Sequence, residues 1–199
     1  MKVIGITGGV GAGKTEVLKL IEELSNCYII RSDELAKSLE KKGEVCYLPI
    51  VELLGSGILG EDGEIIPSLM AKAIFEDASD DNLKRVNDII HPKVKERICQ
   101  LIAENDGKYD YFFIEAALLI EEHYELICDE LWYIYADRDI REKRLIDSRG
   151  YSIDKINGIM DSQLDDETFR KYCKNVVNNG GTLDDTRRQL ISIFDKERA

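Results

Sequence analysis

The sequence predicts an α/β domain in which a five-stranded parallel sheet is flanked by helices. Short apolar runs alternate with longer helical patterns, and few residues separate one from the next. Such alternation with short connections favours a parallel sheet covered by helices on both faces. Because 44% of the 199 residues are hydrophobic, the chain can bury a core without the help of disulfides. We therefore expect one compact domain.

Each element is predicted from its own pattern. Five short apolar runs read as strands: Lys2–Thr7, Tyr28–Arg31, Tyr111–Glu115, Glu130–Tyr135 and Asn175–Val177. Seven stretches have helical patterns: Lys14–Leu24, Asp33–Lys42, Ser68–Phe75, Asp81–Asn105, Asp139–Ser148, Ser152–Leu164 and Leu183–Lys196. We expect Pro92 to bend or interrupt the fourth helix, because it has no amide donor. Thr182 and Asp185 resemble a capping box, so the last helix should begin there.

The predicted strands also suggest how the domain is organised. Residues 44–105 contain helical patterns but no good strand pattern, so we predict an inserted helical lobe there. Residues 1–43 and 106–199 would then form the core around the sheet.

Composition excludes several classes of partner. A net charge of −12 argues against binding to nucleic acid or to an anionic membrane. No apolar run is long enough for a membrane span or a signal peptide, so we expect a cytoplasmic protein. The five cysteines are scattered singly with no CxxC pair, which indicates reduced thiols.

The segment Gly8–Thr15 matches the pattern G-x-x-x-x-G-K-[ST], with a strand before it and a helix after it. Its glycines allow consecutive backbone amides to turn inward around a polyphosphate, and the helix that starts near Gly13 adds its positive dipole end. Lys14 would reach the β- and γ-phosphates, and the hydroxyl of Thr15 would hold Mg²⁺. The sequence therefore predicts an ATP site at this P-loop.

The rest of the chain favours a small-molecule kinase among P-loop proteins. It has no N-K-x-D motif and no D-x-x-G after a predicted strand, the two signals of guanine-specific switches. Asp33 follows the second strand and is the candidate base for an attacking hydroxyl. Its sequence position is equally consistent with a helix cap formed by Ser32 or Asp33.

A kinase with this acidic balance must concentrate positive charge near the phosphates, and one segment does so. Five basic residues occur within twelve positions: Arg138, Arg141, Lys143, Arg144 and Arg149. Part of this cluster shares one helical face, from which arginines could close over ATP and exclude water. The alternative is an ordinary solvated charged face, because acidic residues are interspersed.

Several short motifs, in order along nearly the whole chain, resemble the dephospho-CoA kinase family. They are Ile6–Thr15, Ser32–Ala36, Ile90–Pro92, Leu118–Glu121, Arg144–Ile146, Gly150–Ser152, Gln163 and Val176–Gly181. The resemblance implies transfer of the γ-phosphate of ATP, with Mg²⁺, to the 3′-hydroxyl of dephospho-CoA. It also implies a P-loop, nucleoside-kinase-like core, a helical acceptor lobe, and a helical lid at about residues 138–165.

The resemblance assigns roles to individual residues. Asp33, Lys14 and Arg144 would be catalytic. The nucleotide would be bound by Gly9, Gly11, Ala12, Gly13, Lys14, Thr15, Glu16 and Asn179. The acceptor would be bound by Asp33, His91, Leu118 and Glu121, and the lid would carry Arg141, Arg144 and Arg149. From the sequence alone, His91 is more typical of a structural histidine.

The chain departs from the family pattern on the lid and acceptor side. These departures are Glu16, Arg31, Ala117, Ser148 and Ile159. They spare the phosphate loop and Asp33, so phosphoryl transfer should be retained. Because they fall on lid and acceptor contacts, two alternatives stay open beside dephospho-CoA phosphorylation. One is a P-loop kinase with another small-molecule acceptor, and the other is a nucleotide-binding protein without catalysis.

Overall fold

The computed structural model of the chain describes residues 1–76 and 81–198. It contains one five-stranded sheet with the order β2-β3-β1-β4-β5. The strands are β1 Lys2–Thr7, β2 Cys27–Arg31, β3 Tyr111–Glu115, β4 Glu130–Tyr135 and β5 Asn175–Asn178. In the parallel registers, Ile4 of β1 lies opposite Phe113 of β3, and Trp132 of β4 lies opposite Asn175 of β5. The predicted five-stranded parallel sheet is confirmed.

Helices connect the strands throughout the described part of the chain. They are α1 Lys14–Leu24, α2 Ser32–Leu39, α3 Tyr47–Leu54, α4 Pro67–Phe75, α5 Asn82–Asn105, α6 Arg138–Arg149, α7 Ile153–Asp161, α8 Asp166–Tyr172 and α9 Leu183–Arg198. Helices α3 and α8 were not predicted, because one is almost entirely apolar and the other has only seven residues. The predicted helix Ser152–Leu164 is α7 followed by a short connection.

Two local helix predictions have different outcomes. Helix α5 continues through Pro92, so the predicted interruption is not found. Ile90 and Val94 on either side of the proline are buried, and their packing offsets the loss of one helical hydrogen bond. The capping box at α9 is present: Thr182 Oγ1 accepts from the Asp185 amide at 3.2 Å, and Asp185 Oδ2 accepts from the Thr182 amide at 3.1 Å.

The chain forms two compact units. The first contains residues 1–30 and 105–199, and the second contains residues 31–104. Residues 31–43, predicted to belong to the core, thus belong to the helical unit. A local contact accounts for this placement, because Leu39 is buried and its carbonyl accepts a hydrogen bond from the Cys46 amide at 3.1 Å. The role of this unit as an acceptor lobe stays a prediction.

Helices pack on both faces of the sheet in the first unit. Successive residues of β4 point to opposite faces, so Trp132 and Tyr133 contact different helices. The Trp132 ring lies 5.7 Å from that of Phe194 in α9, and both belong to the core that also includes α1. The Tyr133 ring stacks at 4.6 Å on Phe169 of α8. The strand order places β1 in the middle of the sheet, and the phosphate loop begins at the end of this strand.

An ion network joins the amino-terminal ends of the strands. The buried carboxylate of Glu130 accepts hydrogen bonds from Lys174 at 2.6 Å and from Trp132 Nε1 at 2.6 Å, and it pairs with Lys2 at 2.9 Å. Both lysines also bind Glu197 of α9. Burial alone would raise the pKa of Glu130, but the hydrogen bonds from Lys174, Lys2 and Trp132 outweigh it and hold the pKa below 4.5. The network thus ties β1, β4 and α9 together at neutral pH.

None of the described helices is both long and apolar enough to cross a membrane.

Candidate phosphate-transfer site

The P-loop connects β1 to α1 with a backbone that depends on glycine. Gly11 and Gly13 have φ angles of 79° and 84°, in the left-handed region where side chains are strained. A Cβ atom on Gly11 would lie 2.9 Å from the carbonyl oxygen of Arg141, and a Cβ on Gly13 would overlap the side-chain amide of Asn179. The amides of Glu16 and Val17 bond to the Gly13 carbonyl, so α1 starts directly from the loop. The two glycines therefore give the loop both its conformation and its close neighbours.

Lys14 lies at the start of α1 and reaches back over the loop. Its Nζ atom donates to the Gly8 carbonyl at 2.9 Å and lies 3.8 Å from Glu115 Oε1. Both side chains are less than one-fifth exposed. Thr15, in the same first turn, is exposed. The ammonium group, the hydroxyl and the carboxylate at the end of β3 thus come from neighbouring elements at the carboxyl edge of the sheet, where ligands of open α/β sheets bind.

Asn179 joins the end of β5 to the P-loop. It is only 3% exposed. Its Nδ2 donates to the Ala12 carbonyl at 2.8 Å, and its Oδ1 accepts from Thr186 Oγ1 at 3.0 Å. Its backbone amide bonds to the Tyr135 carbonyl at 2.7 Å. Asn179 therefore fixes the loop position, and its predicted contact with the nucleotide stays a prediction.

Arg144 of α6 binds the same region through backbone carbonyl oxygens. Its Nη2 donates to the carbonyl of Asn179 at 2.7 Å, and its Nη1 donates to that of Ala12 at 3.2 Å. Hydrogen bonds from a charged donor are about twice as strong as neutral ones, so this guanidinium holds α6, the loop and the β5 end together. The predicted catalytic role of Arg144 is not tested by these contacts.

The first half of the loop is covered by residues from α6 and from the segment after α7. Gln163 Oε1 accepts a hydrogen bond from the Val10 amide at 2.9 Å. A Cβ on Gly9 would overlap Nη1 of Arg141, so that guanidinium lies against the loop. Arg141 and Gln163 also line a cavity of about 490 Å³, together with Tyr133, Tyr135 and residues of α7 and α8. This cavity adjoins the loop on the side of the predicted lid.

The other predicted nucleotide and acceptor residues of the first unit are on its surface. Glu16 is exposed and pairs with Lys19 at 2.8 Å, as an ordinary helix-surface pair. Leu118 is 48% exposed, and Glu121 is also exposed, in the turn after β3. Arg149 lies exposed at the end of α6. The roles of these four residues at the site stay predictions.

Asp33 and His91 lie in the second unit. Asp33 is exposed in the first turn of α2, whose capping residue is Arg31 and which has no side-chain cap. The alternative that Ser32 or Asp33 caps this helix is therefore not supported. His91 is half-buried in α5 beside Pro92. Their roles as base and acceptor ligand stay predictions.

Comparison with known proteins identifies the family. The sequence model of the dephospho-CoA kinase family matches residues 2–185. The chain belongs to that family. A dephospho-CoA kinase of Carboxydothermus hydrogenoformans is 30% identical over 98% of this chain and 94% of its own length. That of Aquifex aeolicus is 31% identical over 98% of this chain and 97% of its own length.

A solved dephospho-CoA kinase structure agrees in fold. The structure from Campylobacter jejuni superposes with a TM-score of 0.74, covering 98% of this chain and 97% of its own. Its sequence is 20% identical, so this likeness supports the fold alone.

For this member of the dephospho-CoA kinase family, sequence reasoning did not place two residues at the loop that the structure places there. Glu115 was read only as the end of a strand, although an acidic residue ending a strand beside β1 is a signal for the phosphate site. That signal requires the strand order, which places β3 next to β1. Gln163 was named as part of a family motif, but nothing in its local sequence shows that it binds the Val10 amide.

Proposed function

We propose that this chain transfers the γ-phosphate of ATP to the 3′-hydroxyl of dephospho-CoA, giving coenzyme A and ADP. The observation that carries the proposal is the glycine-dependent P-loop with Lys14 folded over it, in a chain whose family match extends over residues 2–185. We expect the reaction to take place in the cytoplasm, as the sequence predicts.

The P-loop would bind the triphosphate of ATP. The glycine-rich loop and the positive end of α1 would attract phosphate oxygens, because the first N–H groups of a helix point toward a ligand at its N-terminus. Lys14 would exchange its contact with the Gly8 carbonyl for the β- and γ-phosphates. The loop therefore supplies the local positive field that a chain of net charge −12 needs for this substrate.

The residues at the loop also suit Mg²⁺. Thr15 and Glu115 offer oxygen ligands, the type that Mg²⁺ prefers. Within residues 1–76 and 81–198, no group of three or more His, Cys, Asp or Glu side chains could hold a metal ion. A magnesium ion at Thr15 would therefore take most of its ligands from the phosphates and from water, as is usual for it. When bound, it would neutralise charge on the transferring phosphoryl group.

Asp33 is the proposed base. A ribose hydroxyl is a weak nucleophile until its proton is accepted, and a carboxylate can accept or orient that proton. The side chain of Asp33 is exposed and does not cap its own helix, so it is available to a substrate. His91, Leu118 and Glu121 are the proposed acceptor contacts.

The arginines of α6 would complete the site. Arg141 and Arg144 already lie at the loop, and Arg149 is exposed at the end of the same helix. Closing of this lid over ATP would exclude water, which otherwise competes with the acceptor hydroxyl for the phosphoryl group.

The test is ADP release with a panel of acceptors. Wild-type protein, ATP and Mg²⁺ are mixed with dephospho-CoA, with nucleoside monophosphates or with sugar alcohols, and ADP is measured by a coupled assay. Dephospho-CoA should give the highest kcat/KM. Preference for another acceptor would support a P-loop kinase of different specificity, and tight ATP binding without acceptor-dependent ADP would support a non-catalytic protein.

The base assignment has its own matched pair of variants. Asp33→Asn should lower kcat by about 10²–10⁴-fold, the usual contribution of a general base, while ATP affinity stays unchanged. Glu34→Gln changes the neighbouring exposed carboxylate of the same helical turn and should keep wild-type turnover. Near-normal turnover of Asp33→Asn would show that another group accepts the proton.

A further inference from the structure

Helices α6 and α7 form a helical hairpin with a small core of its own. Leu145 of α6 packs with Ile156 and Met160 of α7, and all three are buried. Arg138, the first residue of α6, donates to Asp161, the last residue of α7, at 3.0 Å. The two helices therefore run antiparallel, and these adjoining ends form the base of the hairpin.

One side chain from the P-loop completes this core. Val10 is partly buried and packs against the cluster that the two helices share. Among residues 8–11 it is the only one with a side chain, so no other residue of that stretch can make an apolar contact with the hairpin. The first half of the loop is thus packed on the hairpin through Val10.

The backbone amide of Val10 makes a second contact with the same segment. The Ala12 amide bonds to the Gly9 carbonyl at 3.1 Å, which closes a turn with Gly11 in the left-handed region. This bond uses the amide of the fourth residue of the turn, so the amide of the second residue, Val10, must find its acceptor outside the turn. Gln163 provides that acceptor, because its Oε1 lies 2.9 Å from the Val10 nitrogen.

Gln163 is itself held in place and has a suitable side chain. It follows α7, and its backbone amide bonds to the Met160 carbonyl at 3.3 Å. Its carboxamide is neutral, so it accepts a hydrogen bond beside the loop without placing a negative charge against bound phosphates. An acidic side chain could accept the same bond but would repel them. The residue type therefore fits a support for a phosphate-binding turn.

We propose that Gln163 is a positioning residue of the nucleotide site. Through the Val10 amide it fixes the turn of residues 9–12 on the hairpin, and so it orders the first half of the P-loop before nucleotide binds. This inference rests on the proposed function, in which the loop binds ATP. Because the base of the hairpin is anchored, movement of the proposed lid is left to its outer end, where Arg149 and Gly150 are exposed.

Two measurements on Gln163→Met test this role, because methionine keeps a side chain of similar length and removes the carboxamide. Hydrogen exchange at the Val10 amide, followed by NMR without nucleotide, should become about 2–10-fold faster, the effect of losing one hydrogen bond. The affinity for ADP, measured with Mg²⁺ by isothermal titration calorimetry, should fall by a similar factor, because binding must then also order the turn.

Gln100→Met is the matched control. It makes the same change on an exposed residue of α5, and it should leave both measurements at their wild-type values. Thermal unfolding, followed by circular dichroism, identifies any variant that has lost its fold. If Gln163→Met unfolds, Gln163→Glu replaces it. That variant keeps an oxygen that accepts from Val10, so exchange should stay slow while its negative charge lowers ADP affinity, and either opposite result contradicts the proposal.

The outcomes separate the positioning role from a structural one and from the proposed function. A residue that only stabilised the fold would lower the melting temperature of Gln163→Met without changing ADP affinity. Unchanged exchange at Val10, or unchanged ADP affinity, overturns the role even if the wild type phosphorylates dephospho-CoA. If both measurements change as expected and dephospho-CoA is not an acceptor, the role of Gln163 stands and only the proposed acceptor fails.

Discussion

Asn179 offers the sharpest test of how the phosphate site is held together. In Asn179→Leu the number and branching of the side-chain heavy atoms are kept, but the hydrogen bonds to Ala12 and Thr186 are lost. Neither partner is left without a hydrogen bond, since Arg144 also donates to the Ala12 carbonyl and Thr186 also donates to the Thr182 carbonyl. The cost is therefore that of two ordinary hydrogen bonds, about 1–3 kcal/mol in the free energy of unfolding.

Urea unfolding of a double-mutant cycle isolates one of these bonds. The four proteins are the wild type, Asn179→Leu, Thr186→Val and the double variant. The coupling energy should be about 0.5–1.5 kcal/mol, the range for one buried hydrogen bond. Asn178→Leu is the control, because the hydrogen bond that its side chain accepts from the Gly180 amide is exposed, and it should cost less than Asn179→Leu.

The same variant connects stability to ligand binding. Loss of the Asn179 side chain frees the Ala12 carbonyl from one of its donors, so the P-loop should be less well ordered before ADP binds. We expect ADP affinity to fall in Asn179→Leu and not in Asn178→Leu. A coupling energy near zero together with wild-type ADP affinity would refute the view that Asn179 organises the loop.

Three further predictions follow from single contacts. Gly13→Ala should lower the free energy of unfolding by about 1–2 kcal/mol for the left-handed backbone alone, and should abolish measurable ATP binding by calorimetry. Glu130→Gln should lower the free energy of unfolding at pH 7, as measured by urea unfolding. Because the folded pKa of Glu130 is lowered, its stabilisation is present above pH 4.5 and is lost as the pH falls through the folded pKa, so the variant and the wild type should converge in acid. When the protein is alkylated and analysed by mass spectrometry, Cys99 should react first, because it is exposed. Burial raises the pKa of the Cys128 and Cys173 thiols to about 12, so these two should react more slowly. Faster labelling of either buried thiol would contradict this reasoning.

Local patterns predicted the parts of the fold that depend on neighbouring residues. All five strands and the start of α1 could be located, because apolar runs next to a glycine-rich motif are strong signals. Helix α3 was missed because Tyr47–Leu54 is apolar on nearly every face and contains Pro49. Helix α8 was missed although Asp165 caps it through the Thr168 amide, a signal that the sequence does contain.

The candidate site was only partly predictable, because its contacts join distant segments. Lys14 and Thr15 are identified by their motif alone. The position of Glu115 depends on the strand order, and the hydrogen bonds of Arg144 and Asn179 depend on how α6 and β5 meet the P-loop. No local pattern encodes such contacts, since each requires the tertiary fold to be known.

The bond between the Asn179 side chain and the Ala12 carbonyl has a consequence for synthesis of the protein on the ribosome. The P-loop is translated more than 160 residues before Asn179, which is a principal support for it. A nascent chain that stops before β5 has the whole glycine motif and lacks the residue that braces it. We expect such a chain to bind ATP weakly, so that nucleotide capture begins only after β5 and Asn179 have been translated.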